Sequence, residues 1–116
     1  MSGSNLLLGF LLFVLGHAFA WFQLNSQFAW SWWKDKPILA VAIYSIPIGL
    51  CFWHAARLIF EETGAAWSAR FMGFAASYFI FPILTYIFLK ESMFTAKTMI
   101  CILLSLTIIL VQVFWK

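Results

Sequence analysis

Four long apolar runs, divided by short polar breaks, organise this chain. The first extends from about Asn5 to Leu24 with no formally charged residue, the second from Pro37 to about Phe60, the third from Trp67 to about Leu89 and the fourth from about Phe94 to Trp115. A helix of about 20 apolar residues crosses the hydrocarbon layer of a bilayer, so each run is long enough to span. The breaks leave little room for anything else: Asn25 to Lys36 is the longest, and Glu61-Glu62-Thr63-Gly64 and Lys90-Glu91-Ser92 are short turns. Connections this short make consecutive helices antiparallel neighbours. The pattern predicts an all-α integral membrane protein, an up-down bundle of four transmembrane helices forming a single transmembrane domain over residues 1–116. Pro37 suits the first turn of its helix, where its missing N–H would have had no partner, and Pro47 is expected to kink the same helix.

Composition removes the soluble alternatives. Of 116 residues 65% are hydrophobic and 9% charged, with a mean hydropathy of +0.97, whereas soluble domains carry roughly 45–50% apolar and about 25% charged residues. Trp30, Trp32 and Trp33 beside Lys34, Asp35 and Lys36 read as an interfacial belt, with indoles at the headgroup level and lysines snorkelling to phosphates. A secretory leader is the alternative for the first run, since Ala18-Phe19-Ala20 has the form of a cleavage site. No Lys or Arg precedes Lys34, so the positive n-region is missing, and the run is read as a helix.

Charge says less about orientation. Loops one and three carry Lys34, Lys36, Lys90 and Lys97, and the other side receives Arg57, Arg70 and Lys116. A bias of one charge slightly favours both termini outside the cytoplasm and is compatible with insertion both ways. The formal charge of +3 suits anionic headgroups, and two unpaired cysteines within the spans fit a bacterial inner membrane.

Ionisable residues inside the spans are the candidates for function, because a charge near the bilayer centre costs at least about 2.5–3.5 kcal/mol. Tyr44, Pro47, Cys51, His54 and Arg57 recur at helical spacing on the second helix, with Glu61 one turn further. Arg57 and Glu61 have the spacing of an intrahelical ion pair, which makes a snorkelling, neutralised arginine one reading. The other is an anion site: Arg57 and Arg70 flank one turn and could clamp a phosphate or carboxylate, with Glu61 and Glu62 competing for them. His17, with Trp21 one turn on, and His54, beside Trp53, are either hydrogen-bonded packing histidines or a proton relay or ligand contact. Two histidines on different helices and two isolated cysteines lack metal-ligand spacing, so no metal is expected.

Small residues supply the packing signal. Ala69, Gly73 and Ser77 repeat every four residues on the third helix, a small-xxx-small face that admits a neighbouring backbone. Cys101, Ser105 and Gln112 on the fourth offer either a homodimer seam or packing within one bundle. Gly9 and Gly16, seven apart on the first helix, point to close contact or room for a ligand.

The second half carries a resemblance. Phe81-Pro82-Ile83-Leu84-Thr85-Tyr86-Ile87-Phe88-Leu89-Lys90-Glu91, then Lys97, then an unbroken aliphatic helix is similar to repeats of the drug/metabolite transporter superfamily. In length and span number the chain resembles the superfamily's four-helix members, the small multidrug resistance proteins. The likeness covers about Trp67 to Val113, and the first half agrees in layout only. It implies a homodimer, because four helices are too few to enclose an alternating-access pathway. The chain departs from those exporters in one respect: their first helix carries an acidic residue at its middle, and here His17 is that helix's only titratable side chain. Asp35, Glu61, Glu62 and Glu91 all lie at or beyond predicted helix ends, which disfavours proton-coupled cation export.

Two classes of function stay open. The first is a small homodimeric transporter of a small metabolite, lipid-like or hydrophobic compound, its pathway lined by His17, Trp21, Tyr44, His54, Arg57, Arg70 and Tyr78. The second is a structural or accessory subunit of a larger membrane assembly. A water-accessible polar cavity between helices one to three would favour the first, and a dry bundle with its polar residues paired off at a protein interface the second. With no nucleotide loop, paired catalytic carboxylates or Ser-His-Asp arrangement, the expectation is no enzyme, no cofactor and no nucleic-acid partner.

Overall fold

The computed structural model describes residues 2–115. Four helices account for nearly all of them: α1 (Ser2–Ala29), α2 (Pro37–Thr63), α3 (Ala66–Leu89) and α4 (Ala96–Phe114). The first three, of 28, 27 and 24 residues, are long and apolar enough to cross a membrane. At 1.5 Å per residue they reach about 36–42 Å. The fourth span, expected from Phe94 to Trp115, is a shorter apolar helix of 19 residues. It starts late because Thr95 acts as its N-cap, the side chain accepting from the Thr98 N–H at 3.3 Å.

The other boundaries shift for equally local reasons. The polar connector expected from Asn25 is helical through Ala29, since Ser26 is buried and Gln27 bonds back to the Leu24 carbonyl; a 3-10 turn over Ser31–Trp33 follows. The Lys36 side chain folds back over that turn, with Nζ 4.2 Å from the Trp32 ring and 2.9 Å from the Trp32 carbonyl. Glu61, Glu62 and Thr63, expected in a turn, form the last turn of α2. Gly64 ends the helix at φ 73°, in the left-handed region that costs glycine nothing. Both α2 and α3 run through their internal prolines, Pro47 and Pro82.

Contacts fix the relative directions of the helices. Gly9 faces Ile59, Gly16 faces Phe52 and Cys51, and Gln23 donates to Ser45 at 3.2 Å, so α1 and α2 run antiparallel with constant register. Asn5 donates to Glu62 at 2.8 Å and closes this seam at its end. Phe13 lies on Gly73 and Trp21 on Thr85, which makes α1 and α3 parallel neighbours. Small residues set these distances, as expected where lipid removes the hydrophobic drive and close packing must hold helices together. A Cβ on Gly9 would sit 2.7 Å from Ile59 Cδ1, and one on Gly16 would strike the Phe52 ring. The core is correspondingly lean: Phe13, Ala55, Ile59, Ala69 and Ala76 are buried, with Phe10, Phe52 and Met72 packed around them.

Helix α4 packs on α3, and no other helix supports it to a comparable degree. The molecule is therefore a three-helix cluster with a fourth helix on its flank, 47 × 36 × 19 Å overall. Large apolar side chains cover the outside of every helix, Leu7, Ile46, Phe79 and Leu104 among them. Water would penalise that surface and acyl chains do not. Among the described residues every buried side-chain nitrogen or oxygen has a hydrogen-bond partner, as a non-aqueous interior demands.

Candidate functional site

The three clustered helices do not close on one another over their whole length. Between them, on the side of the α2–α3 turn, lies an open cavity of about 820 Å³. Its lining follows helical rows. Phe52, Ala56 and Phe60 form one row of α2 and Trp53, Arg57 and Glu61 the next. Helix α3 contributes Ala66, Ala69, Arg70, Gly73 and Phe74, and α1 contributes Phe13 and His17. Arg70 lies four residues into α3 and Arg57 six residues before the end of α2. Both therefore start within about 6–9 Å of their helix ends. His17 lies fifteen residues from the start of α1 at Ser2. That is about 22 Å from the end beside the mouth, at the deep end of the cleft. The cavity thus runs from a basic mouth to a histidine across aromatic walls.

The charges at the mouth are unevenly matched. Arg57 Nε is 3.3 Å from Glu61 Oε2 in the ion pair its spacing predicted, and its guanidinium rests over Trp53 with 5.5 Å to the ring centre. Glu62 is held by Asn5 and engages neither arginine. Arg70 has no carboxylate within salt-bridge distance among the described residues, and its guanidinium lies over Phe74 at 4.9 Å. At the far end the His17 ring packs on Phe52, centroids 4.8 Å apart.

Of the residues proposed from sequence to line a pathway, His17, Arg57 and Arg70 meet in this cavity. The others lie elsewhere. Trp21 is 2% exposed and donates its indole N–H to Thr85 Oγ1 at 2.9 Å, a buried clasp between α1 and α3. Tyr44 packs beside Trp33 at the opposite end of α2, the rings tilted and 6.0 Å apart between centres. His54 is exposed, edge-on to Trp53, because the polar stripe on α2 spreads around the helix: Cys51 turns inward to Gly16 while His54 turns out. Tyr78 faces α4, where the Ser105 hydroxyl is shared between the Tyr78 hydroxyl at 3.1 Å and the Cys101 carbonyl at 2.9 Å.

The small-residue face divides in the same way. Ala69 and Gly73 receive α1, with Phe13 3.2 Å from where a Gly73 Cβ would stand. Ser77 and Cys101 line a second cavity, about 660 Å³, between α3 and α4. Gln112 is exposed on α4. The residues missed from sequence are the aromatic walls, Phe52, Trp53, Phe60 and Phe74. The signal that could have found them is the i, i+4 succession Phe52-Ala56-Phe60, in which a small residue between two rings leaves a gap. Among the described residues no three His, Cys, Asp or Glu side chains converge on a common point.

Compared with models of known families, with curated proteins and with solved structures, the chain matches none. What the fold and cavity define is a small all-α membrane protein with three apolar membrane-crossing helices and a flanking fourth.

Proposed function

We propose that the protein is a small membrane transporter of the drug/metabolite superfamily type, working as a homodimer on a small metabolite, lipid-like or hydrophobic compound. One observation carries the reading: the cavity of about 820 Å³ between α1, α2 and α3, where His17, Arg57 and Arg70 meet aromatic walls. Ligand sites of about 300–1,000 Å³ combine apolar walls with a few converging polar groups, and the cleft has that make-up. The two arginines at its mouth add to it, since Arg70 has no carboxylate within salt-bridge distance among the described residues. The resemblance over residues 67–113 supplies the superfamily and the pairing of two copies, and the two unpaired cysteines within the spans fit a bacterial inner membrane. A cleft open along one side needs a second wall, which a second copy would provide.

An accessory-subunit reading draws on the position of α4, which leans mainly on α3 and leaves its remaining faces to lipid or to another chain. Native mass spectrometry from gentle detergent separates the two. A homodimer carrying a co-purified small molecule is expected; a stable complex with other proteins and no homodimer would overturn the transporter.

A further inference from the structure

We infer that the cleft takes an amphiphile with a single negative charge, its head on Arg70 at the membrane interface and its apolar body along the aromatic wall toward His17. The inference rests on reading the cleft as a ligand site and adds the chemical class of its occupant.

The assignment follows from how the charges at the mouth are used. Arg57 is engaged by Glu61 and Glu62 by Asn5, so the carboxylates near the mouth already have partners. Arg70 alone brings a guanidinium to the cleft with no carboxylate on it among the described residues. The Phe74 face beside it steadies a cation but carries no charge to neutralise it. Counting the arginines and Glu61, the lining holds one net positive charge. A cation entering would meet two guanidiniums and a carboxylate that is already paired. A doubly charged anion would find one free guanidinium. A singly charged carboxylate, sulfonate or phosphodiester matches the fork of Arg70 and leaves the Arg57–Glu61 pair intact.

Depth selects the remainder of the ligand. Below the arginines the walls are Phe13, Phe52, Gly73 and Phe74, and the next titratable group in the lining is His17. A charged head near the helix ends and an apolar body beneath it is the orientation an amphiphile adopts in one leaflet, so the cleft would accept it without inverting it.

The test uses the full chain in nanodiscs of phosphatidylcholine, with empty discs subtracted, and two probes of fixed charge and equal chain length, decanesulfonate and decyltrimethylammonium, below their micellar concentrations. Saturable decanesulfonate binding is expected, with the cation weaker. Arg70→Gln should weaken decanesulfonate about tenfold to a hundredfold, the range for losing hydrogen bonds to a charged group. Arg70→Lys should retain part of the affinity, and Glu61→Gln, which frees Arg57 and raises the net positive charge of the lining, should tighten it. Equal or tighter binding of the cation, or no effect of Arg70→Gln, would overturn the charge assignment while leaving a ligand site in place. A separate variant, Ala56→Phe, fills the cleft. If neither probe binds saturably, or if folded Ala56→Phe protein binds both as before, the ligand site itself is refuted. Discs doped with phosphatidylglycerol distinguish the source: suppressed decanesulfonate binding identifies the bilayer's own anionic lipid as the occupant, and undiminished binding a free amphiphile.

Discussion

The clasp between Trp21 and Thr85 ties the two parallel helices of the cluster through a pair of buried side chains. Indole N–H and threonine hydroxyl are 2.9 Å apart, and the residues are 2% and 4% exposed. Thr85→Val keeps the side chain's shape and removes the acceptor, leaving a buried donor unsatisfied. In water-soluble proteins such an orphan costs about 1–3 kcal/mol. Between membrane helices the measured average is about 0.6 kcal/mol and the maximum about 1.7, because the dissociated helices also find partners. A loss of roughly 0.6–1.7 kcal/mol is therefore expected, three- to twentyfold in the folding equilibrium. A double-mutant cycle with Trp21→Phe isolates the bond from the ring's packing. In that single variant the Thr85 hydroxyl can fall back on the carbonyl four residues earlier. Unfolding in mixed micelles titrated with dodecyl sulfate, followed by circular dichroism, supplies the four stabilities. A coupling within about 0.3 kcal/mol of zero would refute the claim that this contact holds α1 to α3.

Other substitutions probe the same account by the same titration. Gly16→Val should cost about 1–3 kcal/mol by driving Phe52 from the α1–α2 seam. Gly49→Ala, with nothing within 4 Å of the new methyl, should gain up to about 1 kcal/mol from helix propensity. Lys90 holds φ 60° as the cap of α3, so Lys90→Gly should stabilise by about 1 kcal/mol, and Gly64→Ala, at φ 73°, should destabilise by about 1–2 kcal/mol. Glu61→Gln should change stability by less than about 1 kcal/mol, since its pair with Arg57 is more than half exposed on both sides.

The sequence made the helices legible because apolar length and composition are the whole of the signal in lipid, and Pro37 marked one start that the structure keeps. Ends were less legible. Glu61 and Glu62 looked like loop because they are charged, yet an interfacial helix end accommodates charge, and the α2 boundary is set by the backbone freedom of Gly64. Within the site, the Arg57–Glu61 pair and the meeting of Arg57 with Arg70 followed from spacing and turn length. His54 and Trp21 could not be placed that way. A stripe of polar residues at mixed three- and four-residue steps rotates around a helix, so His54 leaves the face that Arg57 shares. Trp21 looked amphipathic and ligand-like, but its partner Thr85 lies 64 residues on, a pairing only the fold reveals. The position of α4 was equally hidden, because four apolar runs of similar length do not say which three cluster.

The central claim is a cleft between α1, α2 and α3 that water and ligand can enter as far as His17. The direct test is cysteine accessibility in protein whose Cys51 and Cys101 are replaced by alanine, using a charged, membrane-impermeant thiosulfonate. His17→Cys should be modified at a rate close to that of Arg70→Cys at the mouth and slowed by Ala56→Phe, while Ala55→Cys, fully buried at the α1–α2 seam, should stay protected. A His17→Cys thiol no more reactive than that at position 55 would contradict the account, leaving a dry bundle and no path for a ligand.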